Sequence, residues 1–466
     1  MELDPEFLSR LQFAFVISFH ILFPAFTIGL AAYIALLEIL WMWTGREMYG
    51  RVSRFWISIF AVSFGMGVVS GIVMSYQFGT NWSRFSDITA NVLGPLLSYE
   101  VLTAFFLEAT FLGILLFGRS RVPRGLHVLS AIAVAIGTLI STFWILSANS
   151  WMQTPAGTEL RDGLIHVTSW WDAVFNPSFP YRLAHMVTAA FLTTAFVVIA
   201  VAAWYLRRGR AVDEARTMLS MTLWLVTALA PLQLLLGDMH GLNTFEHQPA
   251  KIAAMEGHWE TRAGAPLILF AWPDMEAELN HLEIAVPKLG SVILTHDSEG
   301  VVRGLKEWPP SDRAYVPLVF WAFRIMVGIG VLMIAVAAAS VWLRWRGRLF
   351  ESSGFLRVCT WCLPLGFIAV IAGWTVTEAG RQPWTAYGLL RTAESVSPSL
   401  TGHSVLISLL VYFAAYAVIF TGGVYYMVRI VQRGPEEIEI EPRGRMVERA
   451  RRPLSAPDVR FGGGRT

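Results

Sequence analysis

The chain has 466 residues, 55% of them hydrophobic and 15% charged, with a formal net charge of +2 and a mean hydropathy of +0.52. A soluble domain carries about 25% charged residues, so this is the composition of a membrane protein, and so small a net charge gives no reason to expect nucleic acid as a partner. Two cysteines, Cys359 and Cys362, are too few for a disulfide framework.

The chain opens on MELDPEF, which is acidic and lacks the positive n-region of a cleavable signal. The first apolar segment is therefore expected to stay in the product. Nine stretches then reach the roughly 20 apolar residues that a spanning helix needs. They lie near 11–43, 55–79, 96–118, 126–149, 182–206, 217–237, 316–343, 356–379 and 402–430. The predicted fold is an all-α integral membrane bundle. Residues 1–237 hold six spans, 238–315 form the one long connection, and 316–430 hold three more. The tail 431–466, rich in Arg, Glu and Pro, reads as disordered.

Arginine alternates between the short loops. Arg46, Arg51 and Arg54 follow the first span, Arg119, Arg121 and Arg124 the third, Arg207, Arg208, Arg210 and Arg216 the fifth, and Arg344, Arg346, Arg348 and Arg357 the seventh. The second loop carries only Arg84, the fourth Arg161, and the eighth Arg381 and Arg391. The positive-inside rule then puts the N-terminus and the long connection outside and the C-terminus in the cytoplasm.

An ionisable side chain inside a span is costly and marks function by default. His20, His185, Glu38, Glu100, Glu108, Glu378 and Arg324 are such residues, and the other histidines read as span-end or connection residues. Counted along their helices, His20, Glu100, His185, Met326 and Glu378 come from five spans and converge on the outer half of the bundle. Glu108 lies eight residues after Glu100, about 12 Å deeper and about 80° around a regular helix. Scattered imidazole, thioether and carboxylate with no thiolate suit haem iron. Each has a plain alternative. A lone His bonds neighbouring helices, a Met packs, and Glu378 with Arg381 makes an interfacial ion pair. CTWC at 359–362 lacks the histidine of a haem c site and the second pair of a zinc site, and reads as small core residues. No P-loop is present.

The runs SRLQFAF with His20, YQFGTNWS at 76–83, SYEVLTAFFLEAT at 98–110, STFWILSANSWMQ at 141–153, LAHM at 183–186, KIAAMEGHWET at 251–261, FRIM at 323–326 and GWTVTEAGRQPW at 373–384 span nearly the whole chain. Together they resemble subunit I of cytochrome bd-type quinol oxidases. The resemblance implies that His185 and Met326 are the axial pair of a low-spin haem b. His20 and Glu378 would ligate the other two haems, a high-spin b and a d, without assigning which. Glu100 would be a carboxylate at the di-haem site, a possible iron ligand, with Glu108 on the proton path. Lys251 and Glu256 would meet quinol. Arg324, Arg381 and Arg10 would pair with haem propionates, and Trp374 and Trp384 would pack on the macrocycles or sit at the interface. A second membrane subunit and a small single-span one are the implied partners. The implied activity is oxidation of quinol at the outer face and reduction of O₂ to water, without pumping, in a bacterial cytoplasmic membrane. The connection passes quickly into the seventh span through VVRGLKEWPPSDRAYVP, as in short-loop members, some of them called cyanide-insensitive, where a further haem b in place of haem d stays open. Two other readings are a secondary transporter using Glu100, Glu108 and Arg324, and a haem-bearing anchor for a quinone-reducing dehydrogenase.

Overall fold

The computed structural model describes residues 3–435, and the predicted tail falls almost wholly outside them. Among the described residues nine segments are long and apolar enough to cross a membrane. They are built from α1 (Pro5–Thr44), α2 (Glu47–Thr80), α3 (Ser83–Glu100) continuing through a π-helical turn (Val101–Phe105) into α4 (Phe106–Phe117), α5 (Arg124–Gln153), a short α6 (Trp170–Val174) before α7 (Phe179–Arg208), α8 (Val212–His247), α11 (Val316–Trp345), the pair α12 (Ser353–Trp361) and α13 (Leu365–Ala379), and α14 (Gly402–Arg433). The long connection carries α9 (Pro249–Glu256) and α10 (Leu289–Thr295). Four two-stranded antiparallel ribbons decorate one end of the bundle: β1 (Thr158–Arg161) with β2 (Leu164–Val167), β3 (Arg262–Ala263) with β6 (Val301–Val302), β4 (Leu267–Asp274) with β5 (Leu279–Val286), and β7 (Trp384–Ala386) with β8 (Leu390–Arg391).

Helix ends follow local chemistry. Asp4 caps α1 by accepting from the Glu6 amide at 2.9 Å, with Pro5 at the first helical position. Gly45 closes that helix at φ 66°. Thr401 and Ser404 form a reciprocal capping box on α14. Pro364 cannot donate to a helical ladder, and the eighth span breaks there into α12 and α13 instead of running unbroken over 356–379.

Two further boundaries differ from the sequence reading. The helix α8 runs ten residues past 237, to a stop at Gln248–Pro249, so His240 and His247 are helical and not connection residues. The last helix reaches Arg433, so the tail begins later than 431.

The largest buried apolar cluster joins Leu30, Ile34 and Leu37 of α1 with Phe55, Trp56 and Phe60 of α2, Phe196 of α7 and Leu219 of α8. Cys359 and Cys362 belong to it as free thiols. Every one of these lies toward the ends that carry the arginine-rich loops. In hydrocarbon this packing gains contact energy, not transfer from water, so close approach matters. A Cβ on Gly29 would fall 2.5 Å from Thr194 Oγ1, whose hydroxyl donates across the α1–α7 seam to Phe26 O at 2.7 Å. The opposite half of the bundle holds His20, His185, Met326 and Glu378, while the packed half has a buried polar group of its own, Glu38 bonded to Ser53, Arg119 and His127.

Candidate functional site

His20 packs on α2. Its Nδ1 lies 2.9 Å from Ser70 Oγ, and the Ser70 hydroxyl donates to Gly67 O at 3.0 Å. With that hydrogen committed, Ser70 accepts from Nδ1–H, which fixes the tautomer and leaves the Nε2 lone pair for a metal. A Cβ at Gly71 would sit 3.1 Å from the His20 ring.

His185 faces α8. Gln233 Nε2 approaches its Nε2 at 3.2 Å, His240 packs edge-on with ring centroids 5.6 Å apart, and a Cβ at Gly237 would come within 3.3 Å. The Nδ1 of His185 is buried and has no hydrogen-bond partner. Met326 on α11 lies against α13, where a Cβ at Gly373 would stand 2.9 Å from its sulfur. His20, His185 and Met326, three of the expected iron ligands, therefore each look onto a glycine of the neighbouring helix. Trp374, next to Gly373, packs with Ile21 and Met186, the neighbours of His20 and His185 in sequence.

Glu378, at the end of α13, accepts from Asn149 Nδ2 at 3.0 Å and Gln153 Nε2 at 3.3 Å, and pairs with Arg381 through its other oxygen. The ion pair set against ligation in the sequence reading is thus formed. It is not a plain one, because Arg381 is buried and its Nε and Nη1 have no partner. Arg182, also buried, bonds Asn149 and, at 3.0 Å, Ser150 Oγ. Lys251 on α9 is buried and donates to Gln153 Oε1 at 2.6 Å. Burial, helped by Arg182 and Arg381 and opposed by Glu378, holds the Lys251 ammonium well below its ordinary value. Three buried basic side chains thus crowd one partly exposed carboxylate. Such a cluster lacks anions. The two carboxylates of a haem would supply them, in the geometry a guanidinium favours.

Glu256 pairs with Arg324 at 3.0 Å. Arg324 also donates to Ile268 O and Met255 O and lies 3.9 Å over the Phe320 ring. Each of its three nitrogens already makes a hydrogen bond, whereas two of the three Arg381 nitrogens make none, so among the expected propionate partners Arg381 has more donors to spare. Arg10 is more exposed, 3.9 Å from Glu6, and lines a cavity of about 250 Å³ with Arg313, Gln382 and Arg391.

Glu100 accepts from Ser141 Oγ at 2.8 Å. A Cβ at Gly137 would fall 2.6 Å from Glu108 Cγ. Both carboxylates meet α5, at positions one helical turn apart. The π-helical turn between them explains this. It takes up one extra residue, so eight residues advance about as far around as seven on a regular helix, leaving about 20° between the two side chains where a regular helix gives about 80°.

The sequence reading missed Arg182, Asn149, Gln153, Gln233, His240 and Ser70. The polar run SANSWMQ in an apolar span, and an arginine three residues before His185, are signals that would have found the first three. Among the described residues no three His, Cys, Asp or Glu side chains gather as a bare ion requires. A haem brings four of its iron's ligands with it, so single side chains on separate helices fit it.

Residues 8–435 match the family model described as cytochrome bd terminal oxidase subunit I. The chain is 37% identical over 440 residues to subunit 1 of the cytochrome bd ubiquinol oxidase of Bacillus subtilis (strain 168), covering 92% of this chain and 94% of that one. It is 33% identical over 502 residues to the cytochrome bd-II ubiquinol oxidase subunit 1 of Escherichia coli (strain K12), covering 93% and 98%. That alignment is longer than the 466 residues of this chain, so the relative carries insertions that are absent here. A chain of the bd oxidase structure from Geobacillus thermodenitrificans superposes with a TM-score of 0.85 at 31% identity, covering 93% of this chain and 99% of that one.

Proposed function

The chain belongs to the family of subunit I of cytochrome bd terminal oxidases, and from that premise we propose that it is the haem-bearing subunit of a bacterial inner-membrane quinol:O₂ oxidoreductase. The observation that carries the reading is the buried cluster of Arg182, Lys251 and Arg381 around Glu378, with two Arg381 nitrogens left unbonded. In this reading His185 and Met326 hold a low-spin haem b, and His20 and Glu378 hold the two remaining haems, a b and a d or a further b, with Glu100 beside them. Haem iron, when bound, supplies the electron relay and the centre at which O₂ is reduced.

The chain's own groups handle protons and orientation. Ser70 holds the His20 ring with Nε2 presented. Asn149 and Gln153 fix the Glu378 carboxylate. At the connection, Lys251 donates a hydrogen bond to a quinol oxygen and the Glu256 carboxylate accepts a quinol proton as general base. Arg324 pairs with Glu256 at 3.0 Å and holds it in place. Two quinols give up four electrons and four protons, and one O₂ takes four of each to become two waters. Protons for water enter past Glu108 and Glu100 from the side of the arginine-rich loops. Release and uptake on opposite faces then separate charge without a pump. The second subunit and a small single-span subunit complete the enzyme.

The test is a dithionite-reduced minus air-oxidised spectrum of the purified complex, with pyridine extraction of its haems and quinol-driven O₂ uptake. Haem b signals with O₂ uptake support the reading, and a far-red chlorin band adds haem d. Haem without O₂ uptake replaces it with a dehydrogenase anchor, and an intact preparation free of haem ends it.

A further inference from the structure

The β4–β5 ribbon is packed along part of β4 and exposed along most of β5. Ile268 and Ala271 pack with Ala285 against Phe320 of α11. Away from that contact Leu269 is 51%, Trp272 61%, Leu282 78% and Ile284 61% exposed, with His281 and Glu283 exposed among them. Single exposed apolar side chains are ordinary, but four large ones on one short ribbon mark a binding face.

Its depth follows from α11. The ribbon is fastened to that helix by Arg324, which donates to Ile268 O from Nη2 at 2.5 Å and from Nε at 3.1 Å, and by Phe270, whose ring lies 5.1 Å from that of Trp321. At the far end of α11, Trp342 and Trp345 are exposed beside the guanidinium of Arg346, the pattern of an interfacial aromatic belt. From Trp342 back to Arg324 the helix climbs about 27 Å at about 1.5 Å per residue. The hydrocarbon layer is about 30 Å thick. Ile268 is therefore level with the opposite boundary of the hydrocarbon. Leu318 and Ile325, on one face of α11, are exposed as well. The acidic tip at Asp274, Glu276 and Glu278 is held by Arg313, which pairs with Glu278 at 2.5 Å near the start of α11.

We propose that the β4–β5 ribbon lies in the lipid interface, with Leu269, Trp272, Leu282 and Ile284 among the headgroups and first acyl carbons. The bilayer itself is the partner of this face, and the ribbon is a monotopic wedge riveted to α11. The inference rests on the membrane-spanning fold and not on the haem or quinol assignments.

The complex in lipid nanodiscs tests it. A nitroxide is attached at Ile284→Cys, at Leu269→Cys as a second position if the first fails to fold, and at Glu276→Cys as the tip control. The native cysteines are buried and free. The expected result is relaxation by O₂ with loss of relaxation by a water-soluble nickel chelate at 284 or 269, and the reverse at 276. A label at 284 or 269 as open to nickel as the one at 276 places the face in water and overturns the proposal. A label there shielded from both agents means that a protein covers the face, which overturns it as well.

Discussion

At the scale of single residues, glycine is the partner of the chemistry. Gly137 has no room for a side chain, since a Cβ would stand 2.6 Å from Glu108 Cγ. Gly137→Ala is therefore expected to displace Glu108 from α5 and lower quinol-driven O₂ uptake roughly tenfold, about 1.4 kcal/mol of barrier, with the haem content unchanged. Loss of haem together with activity would instead make Gly137 a packing residue. Ser70 makes a second case. Ser70→Ala frees Nδ1 of His20, and losing such an outer partner weakens a ligand about 10–100-fold. The expected readout is a shift in the midpoint potential or band position of one haem while the others stay put. His20, His185, Glu100 and Glu108 were legible in the sequence because an ionisable group in hydrocarbon has few other reasons to be there. Ser70 and Gln233 were not legible, because small polar residues are common in spans and only the fold shows which one meets a ring.

At the scale of elements, the nine spans were legible because length and apolarity suffice to identify them. Their ends and interruptions were less so. The break at Pro364 was written in the chain, but hydropathy averages over it. The extension of α8 to His247 has no hydropathy signal, because GDMHGLNTFEH is polar, and only the proline at 249 marks its stop. The short helix α9 carries a prediction of its own. Burial makes protonated Lys251 costlier in the folded chain than in the unfolded one. The unfolded chain therefore holds more protons from the depressed folded value up to about 10.4. Stability is lower at the acid end of that window and rises with pH across it. Thermal unfolding of the complex followed from pH 7 to 10 is expected to show that rise, and Lys251→Met to flatten it. An equal slope in the variant would assign the pH dependence to other groups.

At the scale of the whole molecule, the largest apolar cluster lies near the arginine-rich loops and the candidate site lies in the other half. That division is what a subunit requires if it releases protons on one face and takes them up from the other. Reporter fusions in the loop at 119–123 and at the hairpin tip near Glu276 are expected to read cytoplasm and exterior respectively. The opposite result would reverse the direction of charge separation. Glu108→Gln is expected to slow O₂ uptake at least tenfold while leaving quinol-driven haem reduction intact. Full turnover in that variant would remove Glu108 from the proton path.

The π-helical turn at 101–105 also bears on how this segment tolerates change in length. A lost or gained residue inside a spanning helix normally rotates everything beyond it by about 100°. Here one residue is surplus to the α-helical count. A chain lacking one position between the two carboxylates would close the bulge, become regular helix, and still present both on one face, since seven residues are two turns. Spacings of seven and eight are thus geometrically equivalent in this segment. An aligned relative with a one-residue gap there keeps its carboxylate pair, whereas the same gap four residues further along, inside α4, would turn the rest of that helix away from α5.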